Sequence, residues 1–331
     1  MIELVNAYLA DAAKRMKPRS LIETTRHLQA HAKSLHNRAA LSVTRADIAE
    51  LLSKIENASG SVASNRVRSF LSAMWGWAVT EGQQDANPVI ATRKRDEAAR
   101  ERVLSNGELE LIWAGTGSGS DHDRIVRLLM LTGLRREEIG RVSWSELDGE
   151  MLVIPGSRTK NGLPHELPLS ALAVAQFPIR PAADENGKVR PLIFGKLADE
   201  GYSGWSRSKE RLDGRLSEKL TEDFADLHSR QPRGGEARLT PWTLHDLRRT
   251  VATWLSEHGE DPHVVEAPLN HVSGKAKAGV AGIYNRASYR EQKRAALAKW
   301  AGHIAAITGQ TVANVATVSA DDEGPRDKFS A

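Results

Sequence analysis

Apolar residues recur at helical spacing in the first part of this chain, at Leu4, Val5, Tyr8 and Leu9 and again at Ile48, Leu51, Leu52 and Ile55, so residues 1–88 read as helices. A third helix is predicted from about Ser61 to Val79, with an apolar stripe of Val67, Phe70, Leu71, Met74 and Trp75. Asn65, Arg66 and Arg68 lie beside that stripe, so one face can pack while the other meets phosphates. Taken alone, the segment favours the plainer reading of an ordinary solvated helix.

After Asn87-Pro88 comes ATRKRDEAARER, dense in charge and poor in apolar residues, which marks residues 89–102 as a linker between domains. Ser105, with Glu108 three residues later, is a capping-box signature that opens a helix through Leu109, Leu111, Ile112 and Trp113. The next segment, GTGSGSD, reads as a flexible loop. No strand precedes it and no Gly-Lys-Ser/Thr follows, so its glycines do not make a phosphate cradle. The clearest strand signal lies in residues 151–170, where MLVIP and HELPL flank Asn161-Gly162, the pair favoured in a type I′ hairpin turn. That turn puts Lys160 at the hairpin tip. Residues 181–240 are irregular, with one helical piece around Trp205 to Leu220. A last helix carries Leu297, Trp300, Ile304 and Ile307 on one side. The second domain therefore spans 103–307, and residues 308–331, small, polar and acidic, form a disordered tail.

Composition changes this picture little. A chain of 331 residues suits two domains, and 40% apolar with 27% charged residues suits a globular protein. No apolar run approaches the ~20 residues that span a bilayer. The opening MIELVNAYLADAAKR carries acids where a signal peptide needs an unbroken apolar stretch, which predicts a cytoplasmic protein without membrane contact. The absence of cysteine excludes disulfides, thiol catalysis and Cys-based zinc sites. A net charge of +4 and a pI of about 9.3 fit a polyanionic partner if the positive residues cluster on one face.

Candidate chemistry gathers late in the chain. In LTGLRREEI, Thr132-Gly133 ends one helix and Arg135 begins the next, with Glu138 one turn away to hold the guanidinium; alone, this is also how a surface helix with an internal ion pair looks. In PWTLHDLRRTVATWL, Thr243 and Asp246 make a second capping box above a stripe of Leu247, Val251, Trp254 and Leu255. His245 and Arg248 become neighbours near a helix N-terminus that favours anions. In EDPHVVEAPLNHVSG, Asp261-Pro262 starts a helix that Pro268 should end, leaving Asn270 and His271 at the exposed end of the turn. Tyr284 and Tyr289 precede the last helix, and by spacing alone either could be core.

In order, TGLRREEI, the TKNG hairpin, YSGWSRSKERLD, WTLHDLRRT, LNHVSG and IYNR resemble the tyrosine recombinases, and within them the integrases of satellite phages and genomic islands. The resemblance runs from near Ser61 to Trp300. It implies a mainly α fold: a helical, SAM-like core-binding domain over residues 1–88, then a mostly helical catalytic domain with a small antiparallel sheet. It implies site-specific integration of phage or genomic-island DNA through a 3′-phosphotyrosyl intermediate. Arg135, Lys160, His245, Arg248 and His271 would form the active site, with Glu138 supporting Arg135. Tyr284, in its IYNR context, would be the nucleophile and Tyr289 structural. Asn65, Arg66 and Arg68 would touch DNA. The implied partners are double-stranded DNA, a homotetramer on two DNA sites, and DNA-bending or directionality proteins.

Chemistry assigns the roles within that set. Two guanidiniums suit the charge that builds on the nonbridging phosphate oxygens, so Arg135 and Arg248 form the clamp, with His271 a further donor. A phenol of pKa about 10 needs help at neutral pH, and His245 is the best base. The departing 5′ oxygen needs a proton, which Lys160 can deliver. The phosphotyrosine bond conserves the energy of the broken one, so neither nucleotide nor redox cofactor is expected. No metal is expected either, because no metal-ligand spacing appears. Three features depart from the family pattern: the His271-to-Tyr284 gap is longer than in short recombinases but suits this integrase branch, Pro268 stands at an aliphatic position, and no arm-binding domain precedes residue 1. Two rival readings share much of this chemistry or fold. A type IB topoisomerase would relax DNA as a monomer, and a noncatalytic regulator would use the basic residues only to position phosphates.

Overall fold

The first apolar stripe buries on α1 (Ile2–Ala12), where Leu4, Val5, Tyr8 and Ala12 face inward. After α2 (Pro18–Arg26), which opens on a proline, the chain passes through a π-turn at His27–His31 and enters α3 (Arg45–Thr80). Thr44 and Asp47 close a capping box there, and those bonds hold the Asp47 carboxyl down at about 2. The Ile48 and Val67 stripes are two arms of α3, broken at Gly60, whose φ of 83° only glycine adopts without strain. Val5, Leu28, Ile48, Leu52, Leu71, Met74 and Trp75 close the core of this unit.

The computed structural model describes residues 1–182, 187, 189–196, 200–228, 239–270 and 288–310. Contacts divide the chain into Met1–Arg100 and Glu101–Ala331. The charged run at 89–102 is therefore not a free connector through most of its length. Val89, Thr92 and Arg95 are buried in the first unit. Arg95 pairs with Glu56 at 2.9 Å and reaches the Ser53 hydroxyl at 3.1 Å. Charge density suggested solvent, yet these charges have partners on α3, and paired charge can be buried.

The same packing changes the reading of two of the three expected DNA contacts. Asn65 is buried, donates to Arg95 O at 2.8 Å and Glu97 Oε1 at 2.7 Å, and accepts from Arg95 N at 2.9 Å. Arg68 spends its guanidinium on Thr92 O and Oγ1, at 3.2 and 3.0 Å, and on Ile90 O at 3.2 Å. Both staple residues 89–97 onto α3. Arg66 is left exposed.

The second unit is built around α5 (Asp121–Thr132), capped by Ser120 and buried on nearly every side from Ile125 to Thr132. A helix with so little polar face belongs inside. Around it lie α4 (Asn106–Gly115), opened by the expected Ser105–Glu108 box, α6 (Arg136–Gly140), and the helices that follow the sheet. The GTGSGSD segment is tied down rather than loose, because the Ser118 hydroxyl donates to Asp123 Oδ2 at 2.5 Å and Ser120 caps Asp123 N.

The sheet is antiparallel, in the order β1 (Leu147–Asp148), β2 (Met151–Ile154), β3 (His165–Pro168). Leu152 pairs with Leu167 and Ile154 with His165, all four buried. Residues 155–164 between β2 and β3 do not make the expected two-residue type I′ turn. Of the pair, only Gly162 takes a positive φ, 76°. The Asn161 carboxamide instead accepts from Thr159 Oγ1 at 3.0 Å and Leu163 N at 3.1 Å, building a wider loop.

After the sheet come α7 (Ala171–Val174), α8 (Trp205–His228), α9 (Leu244–Glu257), α10 (Pro262–Glu266) and α11 (Arg290–Ile307). Helix α8 runs past Leu220, where its sequence signal fades. On α11, Trp300 is fully buried and its indole donates to Met130 O at 2.7 Å, a carbonyl near the end of α5. Residues 308–310 close α11, and the rest of the expected tail lies outside the described residues.

Candidate active site

Helix α5 ends at Gly133, whose φ of 64° turns the chain into Leu134 and Arg135. Arg135 is the N-cap of α6. Buried Glu138 accepts from Arg135 twice, from its backbone N at 2.8 Å and from Nη1 at 2.8 Å, so the guanidinium and the turn that carries it are fixed together. A second pair stands behind the first: Arg158 donates to both Glu146 oxygens at 2.7 Å and to Glu138 O at 3.1 Å. The end of α6 is braced by the YSGWS segment. Tyr202 N donates to Gly140 O at 2.6 Å, and a β-carbon on Gly140 would come within 2.6 Å of the Trp205 ring.

Arg248 lies on the first turns of α9, whose Thr243–Asp246 capping box is formed. It is 3% exposed. Its Nη1 donates to Gly133 O at 2.8 Å and its Nη2 to Leu269 O at 2.5 Å, which leaves three of the five guanidinium donors for another acceptor. Burial, and then the field of Arg135, push Arg248 down to about 10, so it stays charged at neutral pH. His245, one turn before Arg248, is lowered by desolvation and then by Arg249, Arg248 and Arg135. It is a neutral imidazole in a positive field, able to accept a proton.

Lys160 is exposed on the β2–β3 loop. That loop and the strand that follows it are each joined to the segment before His271. Asn161 Nδ2 donates to Asn270 Oδ1 at 2.7 Å, and buried His165 Nε2 donates to Pro268 O at 3.0 Å. Tyr289 is the N-cap of α11, its ring centroid 5.0 Å from that of His263. His271 and Tyr284 lie outside the described residues.

Residues 115–291, more than half of the chain, match the sequence profile of the phage integrase family. The chain belongs to the phage integrase family. Prophage integrase IntZ of Escherichia coli K12 is 27% identical over 281 residues, 82% of this chain and 63% of that protein. The integrase of phage lambda is 25% identical over 167 residues, 50% of this chain and 47% of that protein. The chain thus spans less than two thirds of these relatives. A lambda integrase dimer bound to a COC′ core site shares the fold with a TM-score of 0.61 at 19% identity, covering 82% of this chain and 95% of that one. Tn1549 transposon integrase in complex with circular intermediate DNA gives 0.57 at 16% identity, covering 88% and 98%.

In this phage integrase family member, the structure brings Arg135, His245 and Arg248 into one electrostatic neighbourhood and joins the Lys160 loop to residue 270. Four supporting residues escaped the sequence reading. Arg158, Glu146 and His165 carry no motif, because their partners are 12, 12 and 103 positions away. Asn161 was visible, but as a turn residue rather than a tether.

Proposed function

We propose that this chain is a site-specific DNA recombinase that breaks and rejoins duplex DNA through a covalent bond between Tyr284 and a 3′ phosphate. The observation that carries the proposal is the position of Arg248, whose two backbone bonds tie the turn before Arg135 to the residues before His271. The Tyr284 hydroxyl attacks phosphorus while His245 accepts the phenolic proton. The phosphorus bond to O5′ breaks as Lys160 protonates that oxygen. Arg135, Arg248 and His271 hold the charge on the nonbridging oxygens. The reverse steps, with a different 5′ hydroxyl, join the new strand. Arg66 adds a phosphate contact from the first unit, and a homotetramer on two DNA sites, helped by DNA-bending or directionality proteins, exchanges strands in the cytoplasm.

A nicked substrate whose 5′ fragment diffuses away on cleavage traps the adduct, and mass spectrometry identifies the attached peptide. The adduct is expected on Tyr284, and Tyr284→Phe abolishes it while DNA binding stays nearly intact. An adduct on Tyr289 overturns the assignment. Relaxation of supercoils by a monomer without sequence preference replaces recombination with topoisomerase activity.

A further inference from the structure

Among the described residues the β2–β3 loop has no sheet partner beyond Ile154 and His165, and its exposed Lys160 sits on a chain of rotatable bonds. Left to itself, such a loop would sample many positions. Hydrogen bonds of the Asn161 side chain, together with Thr159 Oγ1 donating to Leu163 O at 2.7 Å, prevent this. Its Oδ1 accepts from Thr159 Oγ1 at 3.0 Å and Leu163 N at 3.1 Å, which shapes the loop, while its Nδ2 donates to Asn270 Oδ1 at 2.7 Å, which attaches the loop to another part of the unit.

The other end of this bond is unusual. Asn270 has a φ of 49°, one of two non-glycine residues with positive φ among those described. Asparagine tolerates that conformation better than most residues, but glycine adopts it with less strain. A side chain is therefore present where the backbone alone would favour none. Its Oδ1 accepts the Asn161 bond, while its buried Nδ2 has no hydrogen-bond partner among the described residues. Arg248 bonds Leu269 O one residue earlier, so Asn270 is anchored to the same guanidinium that fixes the Arg135 turn.

We propose that the Asn161–Asn270 bond is a latch that sets the position of Lys160 relative to the arginine clamp. Asn161 and Asn270 are positioning residues: neither touches the reacting phosphate, and both act through Lys160. This inference rests on the reading of Lys160 as the proton donor to O5′, so its test needs one readout that depends on that chemistry and one that does not.

The first readout is tryptic cleavage after Lys160 in the folded protein, followed by mass spectrometry. Asn161→Ala and Asn270→Gly each remove one side of the latch, and glycine keeps the positive φ. Asn270→Gly is expected to raise the cleavage rate about fivefold, the opening expected from one lost hydrogen bond, and Asn161→Ala, which also loses the bonds that shape the loop, by at least as much. The double variant is expected to be no faster than Asn161→Ala, because both changes break the same contact. Unchanged rates in Asn270→Gly, or additive effects in the double variant, overturn the latch whatever Lys160 does.

The second readout is DNA cleavage on normal substrate and on one with sulfur in place of the bridging O5′. A thiolate leaves without a proton, so a defect in proton delivery disappears on sulfur. Both latch variants are expected to cleave normal DNA more slowly, Asn270→Gly by up to about fivefold, the factor by which the loop is released, and to recover on sulfur as Lys160→Ala does. If Lys160→Ala recovers and the latch variants do not, the latch does not act through Lys160 and the proposal fails. If Lys160→Ala itself does not recover, its role as acid fails, and the tryptic result alone decides whether the loop is tethered.

Discussion

Arg248 Nη1 donates a 2.8 Å hydrogen bond to the carbonyl oxygen of Gly133, two residues before Arg135. The two arginines proposed to clamp one phosphate are therefore not independent, because one holds the backbone turn that presents the other. Burying Arg248 and setting it in the field of Arg135 both cost free energy, and both lower its pKa. Glu138 and the two carbonyls offset that cost.

Gly133 is the weak point of this arrangement. Its φ of 64° and the 2.8 Å approach of Leu269 to a β-carbon at this position predict that Gly133→Ala destabilises the second unit by about 1–3 kcal/mol and slows cleavage more than it weakens DNA binding. Urea unfolding and single-turnover cleavage measure the two effects. A fully stable variant with normal cleavage would show that the turn does not set the clamp.

Replacing either arginine of the clamp should slow cleavage about a hundredfold or more, the scale of losing one preorganised donor. Both replacements should also lower stability. Arg248→Ala leaves two buried carbonyls without their donor, at on the order of 1–3 kcal/mol each, and Arg135→Ala leaves the buried Glu138 carboxylate without its cation. An unchanged melting temperature in either variant would contradict this.

The depressed His245 pKa makes a prediction about rate. A neutral imidazole is the active form of a base, so cleavage should hold below pH 6.5 and fall only as pH drops through the lowered value. Arg249→Gln removes the largest positive charge acting on His245 after desolvation, and the acidic limb of the rate profile should move to higher pH. A limb that stays in place would remove His245 from the proton transfer.

His165 makes a prediction about stability. Burial holds it at about 4, against about 6.5 when unfolded. The folded state binds the proton less readily, so the contribution of His165 is complete above pH 6.5 and is lost as pH falls toward 4, by about 3 kcal/mol in all. Denaturant titrations between pH 7 and 4 should show this slope, and His165→Gln should flatten it while keeping a donor for Pro268 O.

In the first unit, Asn65 and Arg66 should separate cleanly. Asn65→Ala is expected to lower stability by loosening residues 89–97, with little change in the salt dependence of DNA binding. Arg66→Ala is expected to leave stability unchanged and reduce the log-log salt slope by about 0.9. The opposite pattern would return Asn65 to the DNA surface.

The sequence by itself determined whatever depends on near neighbours. Capping boxes at Ser105 and Thr243, the stripe on α11, and the Arg135–Glu138 pair are set by spacings of three and four residues, and a helix converts such spacing directly into contact. Motif order supplied the family. Tertiary structure alone decided which polar residues were already engaged. Asn65 and Arg68 look available on α3 until residues 89–97 fold back onto them. The Asn161-Gly162 pair carries a strong turn signal, but the Asn161 side chain finds partners at 159, 163 and 270 instead. A hydrogen-bonding side chain goes to the acceptor that the fold brings within 3 Å, and local sequence does not encode that proximity when the partner is 30 or 109 residues away.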